Sequence, residues 1–522
     1  MAVIDGTGPH GTVVDAHRLL GPLPTGAGPS ATVAGTLGEM DRLGVDEAHV
    51  THAYALHGDP AEANRALFAA LDGVERLRPV PVVIPAVAGA SVPARLEDLD
   101  ELRAAGVAMV RLAPARHRFD PAGPVARRWL ERLGRLGIAV AIDAADTSLA
   151  TLRALSAAHP TVNWLVLGPG YRRLREFGEL LDTSPNVWLE TGTLNTSGAV
   201  EWFAERWGAQ RLVFGTGAPV FDDAGPRHQL DHLALKPEDR ALVAGGSLAA
   251  MLGRPATRAG HAPDRSAPRT GPILDAHGHI GGWHDFLIPD PSADGLAAMA
   301  ARLGVTTIGI SDLLAVGADP AVGNRRALAA AETHPGRFGV WLVANPHDPG
   351  GLDDVRELLG HEAVWGVKLH PDVHQCTLDD PAYTPVFELA AAHGVPVLAH
   401  GQTDSSWSDP VRFAEVGRRH PQVPLLMGHA GLWPYGFARA ARLVADVPNV
   451  YLETCGSRMT ARWIAELVRL AGADRVVFGS DACFLDLRQG LGRVLGAPLD
   501  GPDRDAVLGG NLARLLHIGG AS

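Results

Sequence analysis

The chain has 522 residues, 46% of them hydrophobic and 20% charged, with a net charge of −12. That length supports two or more domains with large cores, and the acidic balance without a long basic run excludes nucleic acid as an expected partner. No apolar stretch is long and uninterrupted enough to span a bilayer, so no membrane partner is expected either.

In chain order, one pattern runs through the sequence twice. Val14-Asp15-Ala16-His17 answers Leu274-Asp275-Ala276-His277, and Arg42-Leu43-Gly44-Val45 answers Arg302-Leu303-Gly304-Val305. Asp59-Pro60-Ala61 with Asn64-Arg65 answers Asp319-Pro320-Ala321 with Asn324-Arg325. Pro185-Asn186-Val187-Trp188-Leu189-Glu190-Thr191 answers Pro448-Asn449-Val450-Tyr451-Leu452-Glu453-Thr454, and Leu212-Val213-Phe214-Gly215 answers Val476-Val477-Phe478-Gly479. The matches keep their order and nearly their offset, which is the mark of a diverged duplication. Between the copies, 254–272 is rich in Pro, Arg, Gly and Ala without an apolar period and reads as a linker. The expected domains are therefore 1–253 and 273–522, each close to the roughly 250 residues of a (β/α)8 barrel.

In the second copy eight strand-like runs follow one another, at 273–277, 306–310, 338–343, 366–369, 395–399, 424–427, 450–453 and 475–478. Stretches of helical period, such as 296–303, 324–332, 386–393, 437–444 and 462–470, lie between them. The alternation predicts the α/β class, with two tandem TIM-like barrels. An open doubly wound sheet is the rival, but no glycine-rich phosphate loop follows the first strand.

The run Ile-Leu-Asp-Ala-His-Gly-His-Ile at 273–280 carries a His-x-His pair, and strand alternation aims His277 and His279 to one side. Lys368 lies in Gly-Val-Lys-Leu-His-Pro, His400 in Leu-Ala-His-Gly, His429 in Gly-His-Ala-Gly and Asp481 in Phe-Gly-Ser-Asp, each at the end of a later strand. Any one of them alone has a structural explanation; Asp481, for instance, suits a helix cap. Active sites of such barrels form at the C-terminal strand ends, so six residues at five of them converge on one place. Imidazole and carboxylate suit Zn²⁺ or a similar divalent ion with a water at an open position, which the ion activates near neutral pH.

The second copy resembles the amidohydrolase superfamily, in the amidohydrolase-related group that holds hydrolases and metal-dependent non-oxidative decarboxylases. His-x-His, Lys-Leu-His-Pro, Ala-His-Gly, Gly-His-Ala-Gly and Gly-Ser-Asp carry the resemblance. It implies that His277, His279, His400 and Asp481 bind the metal, and that His429 is an acid/base or binds a second ion. Lys368, carboxylated in two-metal relatives, decides between one ion and two; one is expected. His370, two residues beyond Lys368, is expected to point elsewhere. In the first copy His17 remains, but Leu19, Arg111, Asp143, Pro169 and Gly217 replace His279, Lys368, His400, His429 and Asp481. That copy reads as a metal-free pseudoenzyme barrel. Its Glu190, matching Glu453, makes this glutamate structural rather than catalytic.

Trp283, His374, Gln402, Trp433 and Arg458 follow strand ends and are the substrate-binding candidates. Cys376, Cys455 and Cys483 are spaced neither as a disulfide framework nor as a Cys-rich zinc site, and Cys483 reads as a packing residue. Residues 1–10 lack the basic region and apolar core of a signal peptide, so the cytoplasm is the expected compartment. The expected activity is metal-dependent hydrolysis of an amide, lactam, lactone or ester bond in a small organic acid, with Asp481 moving the proton and His429 assisting. A non-oxidative decarboxylase of a carboxylic acid is the alternative, and a non-catalytic binding scaffold the second alternative. Relatives of this kind work as homodimers, so the two copies are expected to form a pseudo-dimer within the chain.

Overall fold

The computed structural model describes residues 11–24, 29–87, 89–254, 271–348 and 350–518. They form two compact units, residues 11–195 with 199–254 and residues 271–518 with 196–198. Of the linker expected at 254–272, residues 255–270 lie outside the described residues.

In the first unit β1 (Val14–Leu20), β2 (Glu47–His52) and β3 (Leu77–Pro79) form one parallel sheet. A second holds β4 (Met109–Leu112), β5 (Ala139–Asp143), β6 (Trp164–Leu167), β7 (Val187–Glu190) and β8 (Leu212–Val213). Hydrogen bonds close both seams: Val83 N–H donates to the Arg111 carbonyl (2.9 Å) and Ala16 N–H to the Phe214 carbonyl (3.0 Å).

The second unit holds one sheet of eight parallel strands in sequential order. They are β9 (Ile273–Ile280), β10 (Val305–Asp312), β11 (Phe338–Val343), β12 (Val364–Leu369), β13 (Val397–His400), β14 (Leu425–Gly428), β15 (Val450–Glu453) and β16 (Val476–Val477). Ala276 N–H donates to the Phe478 carbonyl (2.9 Å) and Asp481 N–H to the His277 carbonyl (2.7 Å), so the sheet closes on itself. The helices between strands start and stop on local chemistry. Thr460 caps helix Ala461–Ala471 by accepting from Trp463 N–H, and Ile464, Leu467 and Val468 form its buried face at the three- and four-residue spacing. Ser292 caps Ala293–Leu303, which ends at Gly304 in the left-handed conformation (φ 69°).

Register explains where the site sits. Lys368, Leu398, Leu426 and Tyr451 pair side by side across β12 to β15, and such neighbours share one face of a parallel sheet. Leu398, Leu426 and Tyr451 belong to a buried apolar cluster with Leu274, Ala276, Trp341 and Val477. Two residues further along, on the same face, come His400 and Glu453. Above an apolar layer, then, lies a polar one.

β9 runs to Ile280, three residues beyond the run expected at 273–277, so both histidines lie within the strand. Against the pair Ile308 and Ile310 of β10 it spends Asp275 to Gly278, one residue more than its partner. This bulge lets the apolar face of Leu274 and Ala276 give way to the face carrying the histidines. β1 makes the same gain, Asp15 to Arg18 against Ala48 to Val50. No helix among the described residues is long and apolar enough to cross a membrane.

Candidate metal centre

The His277 and His279 rings lie 5.1 Å apart, centroid to centroid. Their Nε2 atoms stand 3.6 and 3.2 Å from Asp481 Oδ1. The three donors are buried and within 4.8 Å of one another, a group able to hold a metal ion. A Cβ at Gly278 would meet Ile308 Cγ2 at 2.6 Å, so the intervening residue has no room for a side chain.

Lys368 Nζ lies 2.7 Å from His277 Nε2. His400 ends β13 outside that group of three; its ring is 4.7 Å from that of His429, and its Nε2 is 3.8 Å from Asp372 Oδ2. His429 lies 5.2 Å from the His277 ring. All of these side chains sit at the C-terminal ends of their strands, as barrel geometry requires.

Burial sets the protonation states. It brings the Lys368 ammonium down to about 8 and, against the opposing Asp372 carboxylate, the His400 imidazole down to about 4. Burial and the Lys368 cation hold His277 well below the usual range, and burial with His400 does the same to His429. Both rings are therefore neutral at pH 7, the form that ligates. For Asp481, burial pushes the carboxyl up, but His279, His277 and Lys368 outweigh it and keep it below the ordinary carboxylate value.

Glu453 organises the back of the site. Its Oε2 accepts from His277 Nδ1 (2.9 Å) and from the His429 backbone N–H (3.1 Å), and Oε1 accepts from the Cys455 backbone N–H. A Cβ at Gly479 would stand 1.9 Å from Glu453 Oε1, which is why the Phe-Gly pair after β16 needs its glycine. Cys455 Sγ lies 2.9 Å from His429 Nδ1, 3.2 Å from His277 Nδ1 and 2.8 Å from Glu453 Oε2. His277, His429 and Cys455 form a second group of donors with metal-holding spacing, all buried.

The sequence pattern of the amidohydrolase family matches residues 11–254 and again 274–518. The chain belongs to the amidohydrolase family. No curated protein matches it. Solved structures that align with about half of the chain include a 5-carboxyvanillate decarboxylase from Sphingomonas paucimobilis, at 16% identity and TM-score 0.36, covering 47% of this chain and 99% of that one. A 2,6-dihydroxybenzoate decarboxylase from Rhizobium aligns at 17% identity and TM-score 0.38, covering 48% and 100%. A dihydroxybenzoic acid decarboxylase from a Polaromonas strain, solved with manganese and 2-nitroresorcinol, aligns at 16% identity and TM-score 0.40, covering 48% and 98%.

Among the described residues of the first unit no comparable set of donors comes together. His17 Nδ1 keeps its bond to Glu190 Oε1 (3.1 Å), the counterpart of His277 and Glu453. Arg111 takes the place of Lys368 and donates to Asp143, which replaces His400, at 2.6, 2.8 and 3.1 Å. Its Nη1 also reaches His17 Nε2 at 3.3 Å. A guanidinium and its counter-ion thus occupy the nitrogen that faces Lys368 and Asp481 in the second unit.

His370 corrects an expectation. It stacks on His400, with centroids 4.2 Å and planes 11° apart, instead of pointing away. Lying two residues beyond Lys368, position 370 keeps the face that strand alternation gives Lys368, and its side chain caps the turn Pro371–His374. Of the substrate-binding candidates, Gln402 hydrogen-bonds His400, while His374 spends both ring nitrogens, on Tyr383 Oη (3.4 Å) and the Val316 carbonyl (3.2 Å). Trp283 packs against His284 and Phe484, Trp433 is half-buried at a helix start, and Arg458 is exposed. Cys483 is buried against the Gly281 carbonyl, a packing position. Sequence reasoning missed Cys455 because it weighed cysteine spacing alone. The signal lay between the copies, Glu190-Thr191-Gly192 against Glu453-Thr454-Cys455.

Proposed function

We propose that the second unit is a metal-dependent hydrolase of a carboxylic-acid derivative, an amide, lactam, lactone or ester of a small organic acid. His277 Nε2, His279 and Asp481 would hold the ion. A divalent ion in that place, zinc by the nitrogen and oxygen donors, would supply Lewis acidity. The carrying observation is Asp481: buried, ionised at neutral pH and 3.2 Å from His279 Nε2, it is poised as a base for water. The Asp481 carboxylate would take a proton from the attacking water and return it to the leaving group. His429, neutral beside His400, serves the oxygen that gains charge.

A second reading, non-oxidative decarboxylation, is favoured by Lys368. This buried cation has no carboxylate partner among the described residues and fits a substrate carboxylate. The first unit we read as a pseudoenzyme, because Arg111 already donates to His17 and Asp143.

The test is turnover by chelator-stripped and metal-reloaded full chain on lactones, amides, esters and hydroxylated aromatic acids. Metal-dependent acid release supports hydrolysis, and metal-dependent carbon dioxide release supports the second reading. Turnover unchanged by stripping overturns both.

A further inference from the structure

We propose a second ion site behind the first, of thiolate character, built from His429 Nδ1, Cys455 Sγ and His277 Nδ1. The proposed function uses the other nitrogen of His277 and requires only one ion, so the two claims fail separately.

Three observations carry it. First, the donors converge: Cys455 Sγ is 2.9 Å from His429 Nδ1 and 3.2 Å from His277 Nδ1, and all three residues are buried. Second, a carboxylate stands at the same place, Glu453 Oε2, 2.8 Å from Sγ and 2.9 Å from His277 Nδ1. In the metal-free site the thiol donates to Glu453 Oε2, which also accepts from His277 Nδ1; a cation that displaces those two protons is shared by the sulfur, the two nitrogens and the carboxylate. Third, the duplication acts as an internal control. The first unit keeps the histidine and glutamate as His17 and Glu190, bonded at 3.1 Å. It has Pro169 and Gly192 where His429 and Cys455 stand. The imidazole–carboxylate pair is thus part of the scaffold. The thiol and the second imidazole occur only in the unit that also carries His279 and Asp481.

The chemistry balances simply. On binding, the S–H bond of Cys455 and the N–H bond at His277 Nδ1 break, both protons leave to solvent, and the sulfur and nitrogen lone pairs form bonds to the ion. A bound cation reverses the cost of ionising a buried thiol. Sulfur and imidazole together select zinc or cobalt over manganese or magnesium.

Cobalt(II) is the probe. Stripped full chain titrated with Co²⁺ should take up two ions and gain a sulfur-to-cobalt charge-transfer band in the near ultraviolet beside the visible ligand-field bands. Cys455→Ser should abolish the band and cut uptake from two ions to one, while Cys376→Ser and Cys483→Ser keep it. Should Cys455→Ser not fold, the band in the natural chain and its survival in the other two variants still assign the sulfur. One cobalt with ligand-field bands but no charge transfer overturns the thiolate site and leaves the first ion standing. A band that survives Cys455→Ser overturns it too, and no cobalt uptake overturns both sites.

Discussion

Glu453 shows how one side chain aims several others. It receives His277 Nδ1 and the backbone N–H groups of His429 and Cys455, so it fixes the orientation of the His277 ring whose Nε2 faces Asp481. Losing such a partner typically weakens metal affinity about 10–100-fold. Glu453→Gln should therefore lower affinity in a competition titration with a metal-indicator dye, with the far-ultraviolet circular dichroism unchanged. Affinity equal to that of the natural chain would free Glu453 of this role. His374 carries a pH prediction. Burial, with His347 nearby, holds its imidazole at about 4, against the usual 6.5 of an unfolded chain. Between those values the unfolded state binds more protons, so this group's share of stability is full above pH 6.5. It is lost at up to about 1.4 kcal/mol per pH unit as pH falls toward 4. His374→Gln should flatten the slope of urea-unfolding free energy against pH in that window, and an unchanged slope would contradict the assignment.

At the scale of elements, the residues shared by the two copies are mostly clamps. Asn449 Nδ2 donates to the carbonyls of Gly417, His420 and Val423, and Asn186 Nδ2 to those of Ser156, His159 and Val162. Asn324 exchanges two bonds with Val343, and Asn64 two with Val82. Each ties a helix or helix end to a strand, which is why these motifs are legible twice while the surfaces around them have diverged. Asn449→Ala removes an amide whose two protons are shared among three carbonyls and should cost about 2 kcal/mol in chemical denaturation; a loss below about 0.5 kcal/mol would show that the clamp is idle. The eight strands of the second unit were legible for a related reason, since buried parallel strands read as short apolar runs. The bulge in β9 was not, because an extra residue leaves the apolar pattern intact and changes only the register against β10. The stacking of His370 on His400 was within reach of strand alternation, since position 370 lies two residues beyond Lys368. The candidate ligands His277, His279 and Asp481 were legible because they lie at or just beyond apolar runs, and Cys455 was not, although it lies only two residues past the end of β15.

Over the whole molecule, duplication has left two barrels of one family with different contents at corresponding strand ends. In the first unit a guanidinium–carboxylate pair, Arg111 and Asp143, sits against His17. In the second, buried imidazoles, a carboxylate and a thiol converge without such a pair. A fixed internal cation needs no metal to balance Asp143, and it repels one. The account therefore assigns all bound metal to the second unit. His277 belongs to both donor groups there, which makes it the decisive residue. The direct measurement is metal content per full chain by plasma mass spectrometry after zinc loading and dialysis, for the natural protein, His277→Ala and His17→Ala. The prediction is at least one zinc per chain in the natural protein and in His17→Ala, and less than about a tenth of that in His277→Ala, a loss of more than about 1.4 kcal/mol in binding. Stoichiometric zinc retained in His277→Ala, or lost in His17→Ala alone, would contradict it.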